Sequence, residues 1–155
     1  MPMKSLSAFN YLAALVLLLS ACKRDVAGTD PATETATALT GTWELSFTSS
    51  GMSMPQNHPP GNGHLMSFTD TDVTMYMDGQ QRWKDTYTVV PDSNAAAATC
   101  STLPPDQFRQ ALIYGSSTHK TFIQITGRTL TMMSGCFAAD GGVSKYRKLS
   151  DATFK

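Results

Sequence analysis

From Thr40 onward the chain is a run of short stretches that alternate polar and apolar residues, parted by turn residues about every ten positions. Alternation sends every second side chain to the same face, the period of a strand buried on one side and wet on the other. The segment Thr42-Trp43-Glu44-Leu45-Ser46-Phe47-Thr48 alternates without a break, so Trp43, Leu45 and Phe47 are expected on one face. Residues 64–69 bring Met66 and Phe68 together, and residues 72–77 bring Val73, Met75 and Met77. Asp78-Gly79 then reads as a type I′ hairpin turn, because both residues accept a positive φ. The return strand, residues 80–90, carries Trp83, Asp85, Tyr87 and Val89 on one side.

The second half repeats the rhythm less cleanly. Residues 120–126 and 129–133 form a hairpin around Gly127-Arg128, and Asp140-Gly141-Gly142 turns the chain into a last strand over residues 143–149. Residues 49–63 hold Pro55, Pro59, Pro60, Gly51, Gly61 and Gly63, a density that reads as a long loop. Residues 91–105 are irregular around a helix-prone Ala95–Ala98 island. Residues 106–114 fit a short helix with Phe108, Ala111 and Leu112 on one face. They also fit a strand with Phe108, Gln110, Leu112 and Tyr114 on one side, which is the preferred reading. The expectation is an all-β domain over residues 40–150: seven or eight antiparallel strands in a small up-and-down barrel, a closure that removes exposed sheet edges.

The amino-terminal end has a different pattern. One positive charge, Lys4, precedes an apolar run of about nine residues, far short of the roughly 20 that cross a bilayer. Small residues and a cysteine follow, Leu19-Ser20-Ala21-Cys22, in the layout of a cleaved secretory signal. This box resembles that of bacterial lipoproteins residue for residue. The resemblance implies a signal peptide over residues 1–21, cleavage before Cys22, and transfer of diacylglycerol to Cys22 with acylation of the new amino terminus. Membrane lipid is then the expected partner of Cys22. Lys23, where many Gram-negative lipoproteins carry a retaining Asp, implies the outer membrane, facing the periplasm or the cell surface. Residues 22–39, rich in Ala and Thr and without aromatic residues, are expected to be a flexible tether.

With Cys22 lipidated, two of the three cysteines remain, Cys100 and Cys136. Disulfides persist outside the cytosol, and a Cys100–Cys136 bond is expected. At the start of the domain, Gly41-Thr42-Trp43 resembles the Gly-x-Trp motif of lipocalins and fatty-acid-binding proteins. The resemblance implies that Trp43 plugs the closed end of a barrel, that the residue 49–63 loop lies over its mouth, and that a late-strand arginine stacks on the plug. Arg147 is the natural candidate.

The inward face collects Phe47, Met66, Phe68, Met75, Met77, Trp83, Asp85, Tyr87 and Phe122. These residues suit a cavity for a small hydrophobic ligand, or equally a filled core. Asp85 would orient a polar ligand group, or sit at the rim in water. Met52, Met54, His58, His64 and Met66 carry soft donors suited to Cu(I), at irregular spacing.

Lys and Arg number 12 and Asp and Glu 12, in no like-charge block, so the sequence shows no basic stripe for nucleic acid. No nucleophile elbow, zinc-protease helix, phosphate loop or paired catalytic carboxylates are present, and neither an enzyme nor a cofactor is expected. The expected function is that of a lipid-anchored envelope protein whose barrel binds a small hydrophobic ligand. The alternatives are a filled barrel that binds another envelope protein and a copper-binding loop.

Overall fold

The computed structural model describes residues 30–104, 107–115 and 117–154. Residues 1–29, which hold the expected signal peptide and Cys22, lie outside the described residues. The chain proceeds as α1 (Pro31–Leu39), β1 (Gly41–Ser50), β2 (Ser53–Asn57), β3 (His64–Phe68), β4 (Asp72–Met77), β5 (Gln80–Pro91), α2 (Ala95–Thr99), β6 (Gln110–Tyr114), β7 (Lys120–Thr126), β8 (Thr129–Ser134) and β9 (Gly142–Ser150). Every paired strand is antiparallel to its neighbour, and β9 returns to pair with β1. Strands β1 and β3 to β9 therefore close an eight-stranded barrel, with β2 added outside the closure. The Asp78-Gly79 turn is as expected, both residues having positive φ.

Three local expectations are corrected. The stretch expected to be a tether through residue 39 ends in a helix. Asp30 caps it by accepting the Ala32 N–H (2.9 Å), proline stands in its first turn, and Leu39 is fully buried. Burial of Leu39 gives the helix a hold that composition does not reveal. The stretch expected to be a loop over the mouth is in part a hairpin: β1 runs on to Ser50 and turns at Gly51-Met52 into β2. A Cβ at Gly51 would run into the Phe137 carbonyl oxygen, so glycine is required there. Pro55 is tolerated because β2 pairs only with β1 and has a free edge. In the stretch with two readings the preferred strand forms over Gln110–Tyr114, so that reading holds in kind; only its start is corrected, with Phe108 outside the strand.

The interior has two tiers. Leu39, Trp43, Phe68, Val73, Tyr87, Leu112, Ile123 and Leu130 fill the half of the barrel beside α1. Phe68 meets Tyr87 edge-on at 5.4 Å, and the Tyr87 hydroxyl donates to the Thr69 carbonyl (2.6 Å). The other half is open.

A second apolar cluster lies on the outer face of the sheet. Ala95, Phe108, Ala111, Phe122 and Met133 pack there beneath the crossing segment that contains α2. The Cys100–Cys136 disulfide, with Cα atoms 5.0 Å apart, pins this segment to the β8–β9 connection, as does the Phe137 N–H donating to the Thr99 carbonyl (2.7 Å). Replacing both cysteines by serine should cost about 3–4 kcal/mol in urea unfolding, the chain-entropy value for a separation of 36 residues. A loss below about 1 kcal/mol would show that the outer cluster holds the segment unaided.

Candidate functional site

Where β1, β4, β6 and β8 end and β5, β7 and β9 begin, the barrel opens into a cup of about 440 Å³. Its apolar walls are Met66, Met75, Trp83, Tyr114, Met132, Val143 and Tyr146. Its hydroxyl-bearing walls are Thr48, Ser49, Ser50, Ser53, Thr121, Ser134 and Ser144, with Gly142 between them. Trp83 is 36% exposed and stands edge-on to Tyr114, with ring centroids 5.4 Å apart. Ser50 and Ser53 share a hydrogen bond (2.8 Å) across the β1–β2 hairpin, which extends the wall on that side.

Strand alternation explains most of this lining; Ser49 and Val143, which pair with each other, line it out of phase with their neighbours. On β9, residues 144, 146 and 148 face inward and 145 and 147 face outward. Two shifts of register between β1 and β9 reset the pattern. Leu45 pairs with Tyr146 and Phe47 with Lys145, so Ser46 is an extra residue between them. The bulge returns Thr48 to the inner face and turns Phe47 outward, where Lys145 Nζ lies 5.4 Å from its ring centroid. Without the bulge, Phe47 would occupy the cup and Thr48 would not.

The residues expected at the ligand site therefore divide. Met66, Met75 and Trp83 line the cup. Phe68 and Tyr87 belong to the packed tier below it. Met77 lines a recess of about 70 Å³ beside the cup, with Leu45, His64 and Met66. Asp85 is half-buried next to Gly115 and accepts the Thr86 N–H (2.8 Å), away from the cup wall. Phe122 is on the outer face, because β7 buries apolar side chains on both sides and its inward residues are Thr121, Ile123 and Ile125.

Trp43 is fully buried at the closed end, and its indole N–H donates to the Leu39 carbonyl (2.6 Å). Its cation is not Arg147 but Lys148, whose Nζ stands 5.2 Å from the ring centroid. Register decides this: Trp43 pairs with Lys148, while Arg147 lies outward opposite Glu44. There Arg147 donates from Nε (2.8 Å) and an Nη (2.6 Å) to one Glu44 carboxylate oxygen. The other oxygen accepts the N–H groups of Gly61 (2.7 Å) and Asn62 (3.1 Å), which holds the segment after β2 against the barrel. Gly41, with φ at +123°, passes so close to the Ser150 carbonyl that no side chain fits.

The soft donors do not assemble. Met52 and Met54 are 83% and 90% exposed on the hairpin, whereas Met66 is inside the barrel. His58 and His64 stack with centroids 6.2 Å apart, and His58 Nε2 is 3.0 Å from the Thr48 hydroxyl. Among the described residues, no three His, Cys, Asp or Glu side chains group as a metal site would require.

Alternation alone did not single out Tyr114, Met132 or Tyr146. Tyr114 lay in the stretch with two readings, and Tyr146 stood beside the arginine expected to carry the role. Both rings are partly buried against the core. Desolvation pushes Tyr114 well above the ordinary range against the opposing Thr121 hydrogen bond, with a smaller upward push from Tyr146. Desolvation likewise raises Tyr146 against a hydrogen bond from Ser144. In the lower tier, burial raises Tyr87 to about 12, with a further push from the Asp70 charge.

These phenols stay protonated in the folded chain after they would ionise in the unfolded one, near 10. Above that pH the unfolded chain binds fewer protons, so folding stability should fall as pH rises from 10 to about 12. Phenolate absorbance followed together with circular dichroism should show Tyr87, Tyr114 and Tyr146 ionising only as the fold is lost. Reversible ionisation of all three near pH 10, with the fold intact, would contradict the burial described here.

Among the described residues no helix is long and apolar enough to cross a membrane. Comparison with known proteins finds no matching family model, no matching curated protein and no matching solved structure.

Proposed function

We propose that this chain is an envelope lipoprotein, anchored through acylated Cys22, whose lipocalin-like barrel binds a small hydrophobic ligand. The observation that carries the binding reading is the cup: about 440 Å³, open at one end and lined by three methionines and three aromatic rings. Ligand sites are concave pockets of a few hundred Å³ that combine apolar walls with placed polar groups, and the cup combines apolar and hydroxyl-bearing walls in equal number. Methionine thioethers adapt to irregular ligand shapes, and the rings offer broad flat contact. The packed tier gives the cup a firm floor, so binding need not be coupled to folding of the core.

The anchor reading is supported by Leu19-Ser20-Ala21-Cys22 and the apolar run before it. Two or three acyl chains give stable attachment, at about 0.8 kcal/mol per buried methylene, without a membrane-spanning helix. Lys23 after the cysteine favours the outer membrane.

Native mass spectrometry of the full chain, expressed in a Gram-negative host and gently released from its envelope, tests both parts. The expected result is a polypeptide beginning at acylated Cys22 with a reproducible non-covalent mass of an apolar molecule. An unmodified Cys22 would refute the anchor. A bare polypeptide that also takes up no apolar probe would refute the binding module and favour a barrel that acts through protein contacts.

A further inference from the structure

We infer that the cup selects an uncharged ligand: an apolar skeleton bearing a hydroxyl or carbonyl, accepted over the same skeleton bearing a carboxylate or an ammonium group. The inference rests on the binding reading above and adds the chemical class of the ligand.

The first observation is the make-up of the wall. None of the described residues that line the cup carries a formal charge, and every polar side chain among them is a hydroxyl or an indole N–H. An ion moved from water into such a site loses hydration and gains no countercharge. A neutral hydroxyl or carbonyl loses far less and can exchange its water partners for the hydroxyls present.

The second observation is where the cations of the adjoining strand go. β9 carries three, and each is engaged elsewhere. Lys145 lies outside against Phe47, and Arg147 lies outside on Glu44. Lys148 faces inward but beneath the cup, at Trp43, where it donates to the Ala38 carbonyl (3.1 Å) and pairs with Asp151 (2.8 Å). The register that brings Ser144 and Tyr146 to the cup therefore keeps all three cations out of it.

The third observation supplies the polar recognition. Tyr114 and Tyr146 reach the cup from β6 and β9, each with a hydroxyl neighbour, Thr121 and Ser144. A phenol both donates and accepts, which matches an alcohol or a carbonyl. Burial keeps both phenols protonated through the physiological range, so neither becomes a charge that would attract a cation. At the packing density of a protein interior, the volume accommodates roughly fifteen non-hydrogen atoms.

The test compares three probes of one skeleton: 1-dodecanol, dodecanoate and dodecylammonium. They are titrated at neutral pH into the mature chain carrying Cys22→Ser, so that no acyl chain competes. Binding is followed by Trp83 emission and calorimetry. The alcohol should bind at least tenfold more tightly than either ion. Dodecanoate or dodecylammonium binding as tightly as the alcohol would overturn this inference and leave the binding module standing. No binding by any of the three to the folded chain would overturn the binding module and this inference together. Ser134→Lys, an exposed rim position, places a cation at the cup and should raise dodecanoate affinity about tenfold. A gap between alcohol and carboxylate unchanged in that variant would show that the missing cation is not what selects, and would also overturn the inference.

Discussion

A single buried indole holds the closed end of this barrel together. Trp43 is inaccessible to water, so its N–H must find a partner inside the protein, and it finds the Leu39 carbonyl at the end of α1. Lys148 covers the ring from β9 and reaches back to the Ala38 carbonyl. The first strand, the last strand and the helix before the barrel are thus joined at one residue. The tail after β9 joins them as well, because the Thr42 hydroxyl donates to the Ala152 carbonyl (2.7 Å) and the Phe154 N–H donates to the Ser67 hydroxyl (3.0 Å). Bringing the two ends of a chain together is the costly step for an up-and-down barrel, since β1 and β9 are its most distant strands in sequence. These contacts fall where that cost is incurred.

The cup follows from the way the same two strands pair. A single extra residue, Ser46, gives the upper half of β1 the opposite facing from the lower half. Below it, the inward residue is the largest side chain available, and it fills the barrel. Above it, the inward residues are small and hydroxylated, and they do not. Outside the barrel, Lys145 lies over the displaced Phe47 ring, and Arg147 pairs with Glu44, which draws in the segment after β2. Glu44 is only 3% exposed, and removing one partner of such a pair leaves an uncompensated charge, so this contact fixes register as much as it adds stability. Filled and open barrels were alternatives at the level of sequence; the molecule is filled at one end and open at the other.

Much of the architecture was legible because its signals are local. Alternation and turn chemistry located β3, β4, β5, β7, β8 and β9 closely, and the disulfide joins the two cysteines that remain once Cys22 is set aside. What escaped was set by contacts distant in sequence. The bulge at Ser46 leaves the alternation of residues 42–48 intact on paper, yet it moves Phe47 from the cup to the surface. The helix over residues 31–39 has a tether-like composition and is held by Leu39 in the core and by Gln110 donating to the Pro31 carbonyl (2.6 Å). Phe122 alternates correctly but on a strand buried on both sides, where period two cannot tell the barrel interior from the outer cluster. At the candidate site, Met66, Met75 and Trp83 came from strong hairpins. Tyr114 lies in a stretch that fits helix and strand alike, and Tyr146 adjoins Arg147 on β9.

The most direct test of the two-tier barrel uses its two tryptophans, Trp43 in the floor and Trp83 at the mouth. In Trp83→Phe the remaining emission comes from Trp43 alone. Its band should be blue-shifted, scarcely quenched by acrylamide and unchanged by a ligand entering the cup. In Trp43→Phe, if the variant folds, the band should lie further to the red, quench readily and respond to ligand. Equal quenching of Trp43 and Trp83 in the folded variants would mean that water reaches through the barrel, and the closed floor on which the cup depends would be contradicted.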